Sequence, residues 1–349
     1  MKSLKVCIDP SANIPYSSFY IKGLYEVLGK SNVKFASEYF LDLDHRKEEW
    51  SFDSYMALVF FHDQKMWNVI IDFGDDVPIR QNAYEWCDLY AKINYCPEKT
   101  GEFKKVVSIP PGFGIRIWKP VEIIRNCIVN LIQLRFRPHT SIRNHFRFYL
   151  SQLKALPLEK FVQKDGAKER PNSIFFVSSL WPHQNCLEGT NLLRKSFMES
   201  CRKAGADFEG GFLLLEESHP QKEKFAEFVF KKRYPLSIFV EKTKKSALVF
   251  NTPAVHNCHG WKLGQYLAMG KAIISTPFQN ALPEDLVHGK NIHFVHDASE
   301  MDAAVSQLLK DENYRKKLEE GARAYSLKYV SPSAVISRIA RKLKSKAPL

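Results

Sequence analysis

Asn257-Cys258-His259-Gly260 runs directly into Trp261 and Lys262, with Gln265 one turn further on. A glycine turn feeding a helix leaves the first N–H groups unpaired and puts the positive end of the helix dipole there. Phosphate is the natural ligand of such a place. Gly260 permits close approach of a backbone or a ligand, Lys262 adds a point charge, and the Gln265 amide offers a donor and an acceptor to hydroxyls. The same residues also fit an ordinary capped helix. His256, Cys258 and His259 form a compact H-x-C-H unit with no distant partner set, so no metal site is expected. His259 either faces a ligand at this turn or simply packs the loop.

The elements that must hold this loop are equally visible. SALVFNT, KAIIST and NIHFV are strand signals, alternating with a short helix at Trp261–Met269. In alternating α/β arrays, ligands sit at the carboxyl ends of strands.

The same stretch resembles the nucleotide-sugar-binding core of GT-B glycosyltransferases of the large retaining group that includes bacterial polysaccharide and lipopolysaccharide enzymes. Gly260 matches the family's turn, Leu267-Ala268-Met269-Gly270 its helix end and Lys271-Ala272-Ile273-Ile274-Ser275-Thr276 its strand. Pro283-Glu284, Gly289, Asn291 and Val295 continue in register, and Lys262 fits a lysine found in part of the family. The match covers roughly the last third of the chain. Asn257 and Gln265 stand where the family carries two glutamates. These amides still hydrogen-bond a hydroxyl but act neither as carboxylate nor as base.

The resemblance implies an α/β fold of GT-B type: two Rossmann-like domains facing across a cleft, with C-terminal helices. It implies transfer of a sugar from a nucleotide donor to an acceptor hydroxyl, in cell-surface polysaccharide or lipopolysaccharide assembly. The donor site comprises Ser179, Asn257, Cys258, His259, Gly260, Trp261, Lys262 and Gln265. Ser11, His62 and Gly112 lie on the acceptor side, and Asp72, Asn257 and His259 are the candidates for catalytic work. No cofactor or metal is expected; the nucleotide sugar is the substrate, and the partner is a glycan or lipid-linked acceptor. Stereochemistry stays open because the acids are missing. Two other readings remain: a degenerate binding protein, and a nucleotide-sugar epimerase or hydrolase of the same fold. Family members carry an arginine and a lysine after the first strand of the donor domain. Neither is in register at Ser178-Ser179-Leu180-Trp181-Pro182-His183, and Arg194 and Lys195 lie further along the next helix, so the diphosphate falls mainly to Lys262.

The rest of the chain fits this frame. Its 349 residues suit two domains. Residues 1–165 form a first, acceptor-side domain with a basic helical region. A polar linker leads to the donor domain at 171–330, and a basic helix at 331–349 crosses back to the first domain. The runs at 55–61 and 67–73 have the look of central parallel strands, and Leu236–Val240 of a short strand. Asp72 ends one such strand, His62 another. The N-terminus reads as a first strand rather than a signal peptide, and no run is long and apolar enough to span a bilayer.

Seven scattered cysteines without a CxxC pair suit a reducing cytoplasm. The net charge of +13 favours anionic partners. Residues 116–170 carry twelve Lys/Arg against four acids, interleaved with Phe136, Phe146, Phe148 and Tyr149. That region is either a solvated helical face or a peripheral face for an anionic membrane on the cytoplasmic side. No nucleic-acid motif accompanies the charge, so nucleic acid is not an expected partner.

Overall fold

The structure, a computed structural model, describes residues 4–43, 54–134, 141–163, 171–231 and 233–346. The chain divides into two compact units. One comprises Met1–Leu158, Ala281–Pro283 and Tyr329–Leu349; the other comprises Glu159–Asn280 and Glu284–Lys328.

The first unit contains β1 (Lys5–Ile8), α1 (Ile14–Leu28), β2 (Val33–Phe35), β3 (Tyr55–His62), β4 (Lys65–Asp72), α2 (Gln81–Trp86), β5 (Leu89–Lys92), α3 (Pro97–Thr100) and β6 (Val106–Ser108). Two amphipathic helices follow, α4 (Pro120–Leu134) and α5 (Ile142–Lys154). The sheet order is β2-β1-β3-β4-β5-β6. Apolar side chains such as Val59, Ile70 and Tyr90 are fully or almost fully buried.

All strands run parallel except β3, which pairs antiparallel with both β1 and β4. This corrects the expectation of two parallel strands at 55–61 and 67–73. They are one hairpin, His62 pairing with Lys65 across a two-residue turn in which Asp63 has φ 55°. Two-residue hairpin turns favour positive φ, and an aspartate adopts it more readily than most residues. The apolar run misled because β3 is buried in mid-sheet, which erases the polar alternation of an ordinary hairpin strand.

In the second unit, β7 (Ser173–Ser179), α6 (Asn191–Lys203), β8 (Asp207–Leu213) and β9 (Val229–Phe230) lead to α7 (Leu236–Lys245) and β10 (Val249–Asn251). Then come α8 (Trp261–Met269), β11 (Ile273–Ser275), β12 (His293–Phe294), α9 (Met301–Lys310) and α10 (Glu312–Tyr325). The sheets β7-β8-β9 and β10-β11-β12 are parallel throughout. Their starts are joined where Ala247 N–H donates to Ser173 O at 2.8 Å. The joined order, β9-β8-β7-β10-β11-β12, is the Rossmann order 3-2-1-4-5-6. Phe197 stacks on Phe250 at 4.7 Å, fixing α6 against β10. The expected strand at Leu236–Val240 is instead the first half of α7; Pro235 precedes it, and a five-residue apolar run does not distinguish strand from helix.

The final helix, α11 (Pro332–Lys346), belongs to the first unit and packs along α1. The approach is close: a Cβ on Gly23 would lie 2.2 Å from Pro332 O, so only glycine fits there. The expected break at Pro138, together with Arg135, Phe136 and Arg137, lies outside the described residues, as do 164–170 of the linker.

Candidate functional site

In the second unit the chain leaves β7 toward β8 on one side and β10 toward β11 on the other. The carboxyl ends of β7 and β10 are therefore the topological switch point, where sheets of this order bind ligands.

From β7, the chain becomes helical at Gln184 and passes through a five-residue π-type segment, Cys186–Thr190, that runs on into α6. Arg194 lies about two to three turns into this continuous helical stretch, in the first turn after the π-type segment. Its buried side chain reaches back over the strand ends. Nε donates to Thr252 Oγ1 at 2.9 Å, Nη1 to Ser179 O at 3.4 Å and Nη2 to Pro253 O at 3.4 Å. The spacing alone places Arg194 too far along its helix; its side chain nonetheless reaches the ends of β7 and β10. Lys195 does not come with it and instead pairs with Glu199 at 2.9 Å.

From β10, the loop carries two successive left-handed residues, His256 (φ 54°) and Asn257 (φ 57°). Asparagine tolerates this conformation, but histidine there stores strain of about 1 kcal/mol or more. Asn185 holds the loop from outside: its Nδ2 donates to Ala254 O at 2.8 Å and to Asn257 Oδ1 at 3.1 Å. The His183 ring meets His256 edge-on at 4.3 Å, and His183 Nδ1 bonds Asn185 Oδ1. Asn185 is not among the candidates read from the sequence, His183 stands there only as the end of the Ser178–His183 stretch, and Arg194 is set aside there as too far along its helix. Only the position of His183 and Asn185 after the first strand of the domain hinted at them.

The loop ends at Gly260, the N-cap of α8, and no side chain caps the helix and no acid occupies its first turn. Lys262, half-buried, donates from Nζ to Val177 O and lies 5.1 Å from the centroid of the Phe176 ring. Burial, with Arg194 nearby, pulls its pKa down to about 7. Burial also lowers that of Arg194. Among the described residues neither cation forms an ion pair. Two desolvated positive groups near each other without a carboxylate repel, and an anion beside both would relieve that repulsion. Trp261 stands 37% exposed at the helix start. Gln265 is 7% exposed, and its side chain makes no hydrogen bond among the described residues.

The structure thus gathers Ser179, Asn257, Gly260, Trp261, Lys262 and Gln265 around this switch point, but it turns two expected site residues inward. Cys258 is buried. His259 is buried too, its Nε2 2.9 Å from Asn280 O and its ring 5.1 Å from Phe278. Burial pushes its pKa down to about 4, so it is neutral at pH 7 and packs the loop. Gly260 also needs no internal justification: an added Cβ would meet only Ala254 Cβ at 3.7 Å, and its φ is −77°.

In the first unit, Ser11 and Gly112 follow the carboxyl ends of β1 and β6 and Asp72 is the last residue of β4, so the three share one sheet edge. His62 does not join them, because β3 runs the other way and delivers it to the opposite edge. Asp72 is fully buried. Its Oδ2 accepts from Lys92 Nζ at 2.8 Å and Tyr90 OH at 2.6 Å, and its Oδ1 from Gly74 N–H at 2.8 Å. A carboxylate so enclosed braces β4 against β5 and is not placed to take an acceptor's proton. Ser11 bonds Asp9 Oδ1 through both its N–H (2.9 Å) and its hydroxyl (2.8 Å). Gly112 N–H donates to Tyr20 OH at 3.1 Å.

No protein-family model matches the chain, and no curated protein matches it in sequence. Among solved structures, the chain is similar to Anabaena Alr3699/HepE in complex with UDP-glucose, at 13% identity and TM-score 0.42, over 76% of this chain and 66% of that one. It is similar to S. aureus TarM in complex with fondaparinux, alpha-GlcNAc-glycerol and UDP, at 11% identity and TM-score 0.41, over 85% and 74%. It is similar also to a putative UDP-N-acetylglucosamine 2-epimerase from Listeria monocytogenes, at 13% identity and TM-score 0.42, over 98% and 96%. The chain spans just under two thirds of the HepE chain. At these scores the likenesses carry no argument by themselves; the α/β assignment, with parallel strands in both units, rests on the strand order.

Proposed function

We propose that this protein transfers a sugar from a nucleotide-sugar donor to an acceptor hydroxyl. The reading rests on one observation: Arg194 and Lys262 converge, without an acid, beside an uncapped helix start at the switch point of a Rossmann-ordered sheet. The donor's diphosphate lies against these two cations and the first N–H groups of α8. Trp261 offers a face to the base or sugar, and Gln265 and Asn257 offer amides to hydroxyls. As the anomeric C–O bond breaks, its electrons pass to the diphosphate, and the added negative charge is met by groups already in place. Arg194 and Lys262 supply the positive charge, so transfer proceeds without a metal ion. The acceptor is a glycan or lipid-linked glycan of cell-surface polysaccharide or lipopolysaccharide assembly, met on the cytoplasmic side.

A second reading has its own support. Asn257 and Gln265 leave the pocket without the two acids of the resembled family, which favours a protein that binds nucleotide sugars and no longer turns them over.

Thermal stabilisation by UDP, GDP and their sugars tests binding through linkage, and donor-dependent release of nucleoside diphosphate in the presence of glycan acceptors tests transfer. Binding with release supports the transferase and binding without release the relic. No stabilisation across the panel would reject both.

A further inference from the structure

The two helices that close the first unit's chain before the linker have an unusual surface. α4 buries Ile123, Cys127 and Leu134 against its own unit, yet holds Ile124, Ile128 and Ile132 outward at 57%, 52% and 55% exposure. A helix apolar on all sides normally has protein or lipid on all sides. α5 repeats the pattern. His145, Tyr149 and Gln152 are buried, and Phe146, Leu150 and Leu153 stand outward at 40%, 50% and 47%. The helices are neighbours, joined by His145 Nε2 to Cys127 O at 2.9 Å and Asn130 Nδ2 to Tyr149 OH at 2.5 Å.

Charge decides what covers this face. On α5 the exposed apolar residues span an arc of about 80°, and Arg143, Arg147 and Lys154 lie immediately beyond it, on the side away from the buried face. α5 contains no acid. α4 adds the exposed Arg125, and its one acid, Glu122, is held by Lys30 and the Lys119 N–H. A second copy of the chain would bring a basic rim against a basic rim in a two-fold contact. An anionic bilayer fits both features: aliphatic side chains enter the boundary with the acyl chains while arginine and lysine reach the headgroups.

We propose that the outward faces of α4 and α5 dock this protein on an anionic membrane, with the apolar stripes inserted and the α5 cations on the headgroups. The assignment does not depend on the donor site or on sugar transfer. Of the aromatic residues expected on this face, Tyr149 is instead buried and stacks on Trp118 at 5.7 Å, whereas Phe146 faces outward.

Co-sedimentation of the full chain with phosphatidylcholine vesicles, with and without phosphatidylglycerol, tests it. Binding is expected to the anionic vesicles, weakened but not abolished by salt. Ile128→Ser with Phe146→Ser, both at exposed positions, should reduce binding at least about tenfold at unchanged circular dichroism. Arg143→Gln with Arg147→Gln should reduce it about fivefold per cation removed. No sedimentation, equal binding to both vesicle types, or binding insensitive to the serine pair would each overturn the proposal. So would a concentration-dependent dimer dissolved by the serine pair in a protein that ignores vesicles, because the face then belongs to a second copy.

Discussion

The two units expose the carboxyl edge of a mostly or wholly parallel sheet, yet treat charge there in opposite ways. In the first, Asp72 sits fully buried among Lys92, Tyr90 and the Gly74 N–H, and its charge finds its partner inside. In the second, Arg194 and Lys262 stand together with carbonyls and a hydroxyl for company and no carboxylate. A completed pair stabilises the fold and has nothing left for a ligand. An incomplete one is tolerated by the fold and awaits a counter-charge. The same position in the same kind of sheet thus serves structure in one unit and, on the proposed reading, an anionic substrate in the other.

The sharpest way to break this contrast is to remove one partner on each side. Lys92→Met should lower folding stability by about 3–5 kcal/mol in urea unfolding, because Asp72 is left as an uncompensated buried carboxylate. A loss near zero would mean that the pair is not sealed from water. Lys262→Met should leave stability level or raised, since it replaces a desolvated cation by an apolar chain of similar length. It should also weaken UDP or GDP binding by about tenfold or more in calorimetry. An equal stability loss at both positions would erase the distinction.

Lys262 also gives the contrast a pH signature. Its folded pKa, about 7 against the ordinary 10.5, leaves it largely neutral above pH 7. A bound diphosphate favours the charged form and raises that pKa. Binding should therefore take up a proton between about pH 7 and 10.5 and weaken as pH rises through that range; Lys262→Met should lose this uptake.

His259 makes a smaller, structural prediction. Its pKa falls from 6.5 to about 4 on burial, so its contribution to stability is complete above pH 6.5 and is lost as pH falls toward 4. His293, lowered to about 4 as well, adds to the same slope. His259→Gln should make the stability–pH curve shallower in that window without changing its course above pH 7. The smallest effect expected is at the strained loop. His256→Gly removes a left-handed histidine and should raise the unfolding midpoint by the equivalent of up to about 1 kcal/mol, provided that the His183 contact contributes little.

Local pattern made parts of this protein legible. Gly260 before a helix, the helix over Trp261–Met269 and the alternation of buried strands with helices follow from short-range chemistry, and they pointed to the carboxyl edge of the second unit's sheet. The amides at Asn257 and Gln265 are likewise facts of the sequence. Tertiary structure decided the rest. Arg194, well along its helix, reached back to the strand ends, an antiparallel β3 sent His62 to the far edge, and Lys92, twenty residues beyond Asp72, closed that carboxylate off. Residue types and spacing fix what a segment prefers to become. Which charges meet depends on strand direction, on where a helix begins and on what burial removes from water, and those are settled only when the whole chain packs.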